Sequence, residues 1–358
     1  MENNRIRKLR KKMAELKTDV LLVSSFYNIL YLTGFKTLTA DEREAFVLVT
    51  KNNMYLFTDG RYFGKNFQFS ISNLQLKLIA PEKSVMRHLS DIITAEKIQS
   101  LAVEAEDLHV DEYEKLQKTF PSVRLVAVNN LIIRIREIKN DEEIRKIQKA
   151  CTVTDQCLTE IIRTIKVGQT EKEIAFRLEM WLKKHGYDLA FDPIVAVNQN
   201  SAVPHYSTKD GAGKVEKHSV VLIDFGAKYA DYRSDITRMV FINPDTEMIN
   251  VYNQLRKLQA ETIDQIEIGE PAKKLDEYSR RHQSFTHSLG HGVGLEIHEY
   301  PKLSAQSTDI VRAGQVFTIE PGIYLPGKYG MRVEDTVMVD ASDQAAVLTR
   351  FPKALLQV

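Results

Sequence analysis

Residues Val220–Phe241 read VVLIDFGAKYADYRSDITRMVF, and the acids in this stretch decide what kind of fold must surround it. An apolar run of this sort predicts a buried strand, yet it ends on Asp224, and a second acid, Asp235, opens the next strand-like run. A lone ionised carboxylate removed from water is expensive, so such an acid is hydrogen-bonded, paired with a base or coordinated to a metal. Arg233 and Arg238 lie close by and offer the plainest account, a salt-bridged hairpin, which this segment taken alone slightly favours.

Further along, residues 287–299 read HSLGHGVGLEIHE and place His287, His291 and His298 at spacings of four and seven. The first spacing would suit a helical pair, but Gly290, Gly292 and Gly294 make a helix costly and predict a glycine-rich loop or a bulged strand. His88, His109, His185, His218 and His282 have no such company and read as surface or core histidines. Two more strand-like stretches, VFTIEPGIYLP and YGMRVEDTVMV, each deliver one glutamate, Glu320 and Glu334. Either glutamate singly could mark a solvent-facing strand edge. Together, two Asp, two Glu and one His emerge from apolar strands, and hard oxygen donors plus imidazole suit divalent Mn, Co, Fe or Zn. Four carboxylates would be neutralised by two divalent cations, whereas alone they would repel one another and push up their pKa values.

The rest of the chain frames this cluster. With 358 residues, 43% hydrophobic and 27% charged, the composition is that of a folded globular protein, and the length argues for two domains. A formal charge of +1 provides no basic field for nucleic acid or anionic lipid. No apolar run approaches the roughly 20 residues of a membrane helix. The basic N-terminal stretch has no apolar segment behind it and does not read as a secretory signal, so the expected compartment is the cytoplasm. Cys151 and Cys157, six residues apart in a helical pattern, point to different sides and read as small core residues. The first third alternates helical stripes with strand-like runs, including a hairpin across Lys51-Asn52-Asn53, and predicts a mixed α/β domain over residues 1–130. Residues 131–358 open with helices from about Asp141 to Ile165 and Thr170 to His185, followed by strand runs up to a continuous Met331–Val339. Strands interleaved with paired helices predict an antiparallel sheet covered by helices, an α+β fold.

The ordered set Asp224, Asp235, His291, Glu320 and Glu334 resembles the pita-bread metallopeptidases, the superfamily of methionine aminopeptidase, aminopeptidase P, prolidase and creatinase. The two-domain length, NILYLTGF near the N-terminus, EPGIYLP and RVED resemble its Xaa-Pro branch. Methionine aminopeptidases lack this N-terminal domain and the arginine before the last glutamate, and creatinases lack the full acidic set. The resemblance implies a catalytic pita-bread domain behind a smaller N-terminal α/β domain, with Asp224 on one metal, Asp235 and Glu334 bridging two, and His291 and Glu320 completing the second. It implies a bridging water or hydroxide as nucleophile, Glu320 as general base, His298 against the scissile group and His205, in NSAVPHY, assisting binding or proton transfer. His287, Arg332 and Tyr324 match positions framing the proline pocket and its carboxylate side. Ligand hardness favours Mn, with Co, Fe and Zn as alternatives. Thr237, two residues after Asp235, is placed to hold that carboxylate from behind.

What the resemblance implies is hydrolysis of Xaa–Pro bonds, in dipeptides or at the N-terminus of short peptides, by a cytoplasmic homodimer. The sequence departs from relatives in VAVNQNSAVPH, where a glycine-proline pair is common before the asparagine, and at Leu30, where an arginine is common. Two other readings compete. A pita-bread module that binds peptide or protein without catalysis would typically have lost ligands, and all five are present here. A dinuclear phosphoesterase would also use carboxylates, but the histidine pattern and EPGIY disfavour it.

Overall fold

The computed structural model describes residues 4–40, 42–62, 73–342 and 344–358, and the chain divides into two compact units, Met1–Arg136 and Glu137–Val358. The short helix Ile133–Arg136, just beyond Asn129-Asn130, belongs to the first unit.

The first unit is a six-stranded sheet in the order Leu74–Ile79, Met54–Asp59, Ala45–Thr50, Val20–Val23, Ser100–Glu104, Arg124–Val128. Its second and third strands form the expected hairpin, with Val49 paired to Met54. Helices Val85–Ala95 and Val110–Thr119 bury Leu89, Ile92 and Leu116 against Val20, Leu22, Leu101 and Val103 of the sheet. A helix that hydrophobic periodicity does not reveal spans Phe26–Thr33, the body of NILYLTGF. It is buried from Asn28 to Thr33, so no polar face marks its period. It stops at Gly34, whose φ of +75° favours glycine and whose N–H reaches Leu30 O at 2.8 Å. At its start the Glu104 carboxylate accepts from Ser24 N at 2.7 Å, Ser25 N at 2.9 Å and Asn28 Nδ2 at 2.6 Å.

In the second unit, helices Asp141–Ile162 and Glu171–Lys184 each begin on a capping box, Asn140 with Glu143 and Thr170 with Glu173. Their buried faces, with Cys157 among Val153, Ile174 and Leu178, pack on the sheet through Val221, Ile223 and Val240. Both cysteines are free and buried. The sheet is nine-stranded, its main path running Glu299–Leu303, Gly290–Gly292, Val316–Ile319, Glu334–Val339, Ile236–Ile242, Ser219–Phe225, Ile194–Val197, antiparallel throughout. The expected continuous strand Met331–Val339 is in fact two. Tyr329–Arg332 pairs with Gly322–Leu325 in a separate ribbon, while Glu334–Val339 joins the large sheet. The break falls at Val333, whose N–H turns to Pro321 O at 3.3 Å, and an apolar run carries no mark of where a strand changes partners.

Behind the sheet, Arg238 and Asp335 are fully buried and paired at 2.7 Å. Asp335 also accepts from Gln259 Nε2 at 2.9 Å, Thr349 Oγ1 at 2.9 Å and Lys353 Nζ at 2.6 Å. Arg238 is thus committed to Asp335 rather than to Asp224 or Asp235, and Arg233 Nε donates to Leu295 O at 2.9 Å. Asp335→Ala strands the guanidinium and is expected to cost roughly 3–5 kcal/mol. Urea unfolding followed through the single tryptophan, Trp181, which packs on this unit's core, reads that loss.

In the first unit, burial pushes the Glu104 carboxyl up to about 7, against the pull of the Ser25, Ser24 and Asn28 donors. The folded unit then holds a proton that the unfolded chain releases near the ordinary value of 4.5. Its contribution to stability is full below that value and is lost as pH rises through about 7. Amide exchange in Ser100–Glu104, corrected for intrinsic rates, is expected to show protection falling across this window, and Glu104→Gln should remove the slope.

Candidate metal centre

The sheet register assembles the acids. Thr237 stands opposite Asp224 on one neighbouring strand and opposite Glu334 on the other. Its Oγ1 donates to Glu334 Oε2 at 2.7 Å, not to the expected Asp235, because the sheet register sets it opposite Glu334, and it accepts from Arg332 Nε at 3.0 Å. Arg332 Nη2 in turn reaches Asp224 Oδ2 at 2.5 Å, and Nη1 reaches Tyr324 Oη at 2.9 Å. The arginine is 3% exposed and spent on these partners, so it braces Asp224 rather than standing free in the pocket.

His291 enters from the strand Gly290–Gly292, whose register shifts after His291, the bulge that its glycines predict. A Cβ on Gly290 would sit 2.0 Å from Thr318 O, and one on Gly292 2.1 Å from Tyr300 O, so neither position admits a side chain. The His291 Nδ1 lies 3.2 Å from Gly292 O, to which it can only donate. That tautomer leaves the Nε2 lone pair facing Asp235 Oδ2 at 3.6 Å and Glu320 Oε1 at 3.5 Å. Glu320 is held by Thr318 Oγ1 at 3.1 Å, and the same hydroxyl accepts from His291 N at 3.1 Å. Sequence reading missed Thr318, although its position two residues before Glu320, which follows the strand Val316–Ile319 directly, places both on one face.

Donor atoms of Asp235, His291 and Glu334 lie within 4.8 Å of one another. Asp224 adjoins Asp235, and in both residues Oδ1 is buried without a hydrogen-bond partner among the described residues. Burial raises the carboxyl pKa values of Asp235 and Glu334 well above their ordinary range, and their acidic neighbours push the same way. Burial likewise lifts Glu320 to about 8 and drops His291 to about 3. Orphaned carboxylate oxygens, a neutral imidazole with its lone pair turned inward and mutually repelling acids together fit a divalent cation, which satisfies all three at once.

Around the cluster, His287 Nδ1 donates to Ser288 O at 2.7 Å, so its Nε2 accepts from the Tyr324 hydroxyl at 2.8 Å. Burial, with Arg332 nearby, lowers His287 to about 4 and keeps it neutral. His298 stands edge-on to His291, ring centroids 4.4 Å apart, on a loop that Arg233 pins by 2.9 Å bonds to Gly294 O and Leu295 O. His298 and His205 are exposed, and His205 lies close enough to act electrostatically on Asp224, His287 and His298. His88, His185, His218 and His282 instead bond to backbone carbonyls elsewhere.

Two substitutions test the cluster. Asp235→Asn is expected to abolish stable divalent-cation binding, and Thr237→Val to weaken it about 10- to 100-fold by releasing Glu334. Metal analysis after chelation and reloading measures both, with circular dichroism as the check on folding.

Residues 145–341 match the model of metallopeptidase family M24, and residues 5–138 that of the creatinase/prolidase N-terminal domain. The chain is 31% identical over 351 residues to the Xaa-Pro dipeptidase of Pyrococcus horikoshii, covering 94% of each. Among solved structures it is similar to an Xaa-Pro dipeptidase from Bacillus anthracis, with TM-score 0.91, 28% identity and 99% of both chains covered. It is also similar to an X-Pro aminopeptidase from Thermotoga maritima, with TM-score 0.86, 30% identity and coverage of 97% of this chain and 100% of that one. With its acids and histidine gathered on one sheet and the family model spanning more than half its length, this chain belongs to metallopeptidase family M24.

Proposed function

We propose that this protein is a metal-dependent exopeptidase that hydrolyses Xaa–Pro bonds, in dipeptides or at the N-terminus of short peptides. The observation that carries the reading is the intact donor cluster in a chain alike from end to end to proteins named Xaa-Pro dipeptidase and X-Pro aminopeptidase. A binding module without catalysis would have no use for it.

Asp224, Asp235, His291, Glu320 and Glu334 would hold two divalent cations. Such cations, when bound, lower the pKa of water and polarise a carbonyl. Glu320 takes the proton of the attacking water on its carboxylate, oriented for this by Thr318. His298 and His205, at the exposed rim, contact the scissile group and assist the proton's passage to the departing proline nitrogen. His287 and Tyr324, locked to each other and to Arg332, wall the proline side. The peptide nitrogen of a bond to proline carries no N–H, so a site that grips the carbonyl and the proline ring loses nothing by its absence. Oxygen-rich donors support Mn, with Co, Fe or Zn as alternatives. Two free buried thiols support a reducing, cytoplasmic setting. Family resemblance supports a homodimer. Among the described residues no helix is long and apolar enough to cross a membrane.

Chelator-stripped protein given Mn, Co or Zn separately is expected to regain release of proline from Ala-Pro, or of the first residue from Ala-Pro-Ala. His298→Ala should lower kcat about 100-fold or more. Proline release from the dipeptide alone marks a dipeptidase, and release of the first residue from the tripeptide an aminopeptidase. No hydrolysis of either substrate by cation-loaded protein would sink the proposal.

A further inference from the structure

We propose that Glu171, through Tyr206, is the positioning residue for His205, a buried carboxylate that fixes the loop presenting this imidazole to the metal cluster. For the task of His205 the inference rests on the peptidase reading above.

His205 has a placement problem. It is exposed, and among the described residues no hydrogen bond holds its ring. The segment carrying it, residues 203–213, contains no helix or strand. An imidazole that must meet a reacting group cannot wander, since a misplacement of about 1 Å costs on the order of 100-fold in rate. Its position has to come from its neighbours in the chain.

Glu171 supplies it. The residue is fully buried in the first turn of the helix Glu171–Lys184, a rigid mount. Its Oε1 accepts from Val197 N at 2.7 Å and Asn200 Nδ2 at 2.9 Å, and its Oε2 from Tyr206 Oη at 2.7 Å and Gly213 N at 2.9 Å. Asn200 Nδ2 also reaches Tyr206 Oη at 2.8 Å. One carboxylate therefore ties the chain before the loop, the chain after it and the residue next to His205. The packing is tight enough that a Cβ on Gly213 would fall 2.4 Å from Glu171 Oε1, and one on Gly211 2.1 Å from Tyr206 Oη. Thr208 gives a second pin, accepting from Val195 N at 2.8 Å and donating to Val195 O at 3.2 Å. Tyr206 and Thr208 are thus drawn inward, while His205 and Ser207 stay exposed.

The chemistry needs an acceptor only. Its two oxygens meet four donors, and an amide in its place would turn an NH2 group onto one of the backbone N–H groups. A buried carboxylate is a costly way merely to fill space. It is an effective way to make three separate segments share one origin.

The test uses the full-length, cation-loaded protein carrying Glu171→Gln, and Tyr206→Phe as the variant that removes a single hydroxyl should the first not fold. Both are expected to speed amide exchange within residues 198–213 while bound cation stays at the wild-type level. In Ala-Pro hydrolysis the loss should fall on kcat, on the order of 10- to 100-fold for Glu171→Gln and several-fold for Tyr206→Phe, with KM changing less. Adding His205→Ala to Glu171→Gln should cost nothing beyond His205→Ala alone, since the two act as one unit. Unchanged exchange in the loop, or losses that multiply in the double variant, would overturn the inference. Wild-type protein that cleaves no Xaa–Pro substrate would overturn the reading of the site instead, and the exchange measurement would still decide whether Glu171 holds the loop.

Discussion

Four carboxylates and an imidazole share one buried cluster here, and the structure is organised around making that tolerable. Each acid raises the cost of charging the next, as the upward pressure on Asp235, Glu320 and Glu334 records. Hydrogen bonds from within the protein temper this, that of Thr318 to Glu320 among them. Arg332 lies against Asp224, and Thr237 hands a hydrogen bond to Glu334. Neither reaches the lone Oδ1 atoms of Asp224 and Asp235, and those are where a cation has most to offer. The stabilisation that the fold forgoes by keeping these acids out of water is recovered when positive charge of high density sits among them.

Neighbouring residues on one strand divide the work by face. Thr237 and Glu334 turn toward the cluster, whereas Arg238 and Asp335, each one residue further on, meet on the opposite side with Gln259, Thr349 and Lys353. The site thus has a rigid, fully bonded back wall. Moving outward from it, Asp235 and Glu334 are buried, His291 and Glu320 half-buried, and His298 and His205 exposed. Burial thus falls off from the acids of the cluster to the two rim histidines.

Much of this could be read from the chain itself. Asp224, Asp235, Glu320 and Glu334 announce themselves because each interrupts an apolar strand, and the glycines around His291 rule out a helix there. Other parts left no such mark. The helix Phe26–Thr33 is buried along most of its length and has no period to detect. The division of Met331–Val339 depends on which strand each half pairs with, a choice made by distant partners rather than by local pattern. Glu171 looks like an ordinary charged residue until the fold brings Tyr206 to it, and Arg332, singled out only through the resemblance, acquires its partner Asp224 from a distant strand. Long-range pairing of a polar group is invisible to periodicity, because periodicity reports only which face is dry.

The glycines beside His291 carry a consequence for how such a protein can change. With Thr318 O against one and Tyr300 O against the other, neither can acquire even a methyl group without moving the backbone. Nor can the strand under the imidazole drift in step with its neighbours. Substitution at either position therefore has to move a neighbouring strand's backbone, whereas an exposed residue such as Val203 meets no such wall. Both flanks of His291 are thus confined to glycine by main-chain oxygens rather than by side chains.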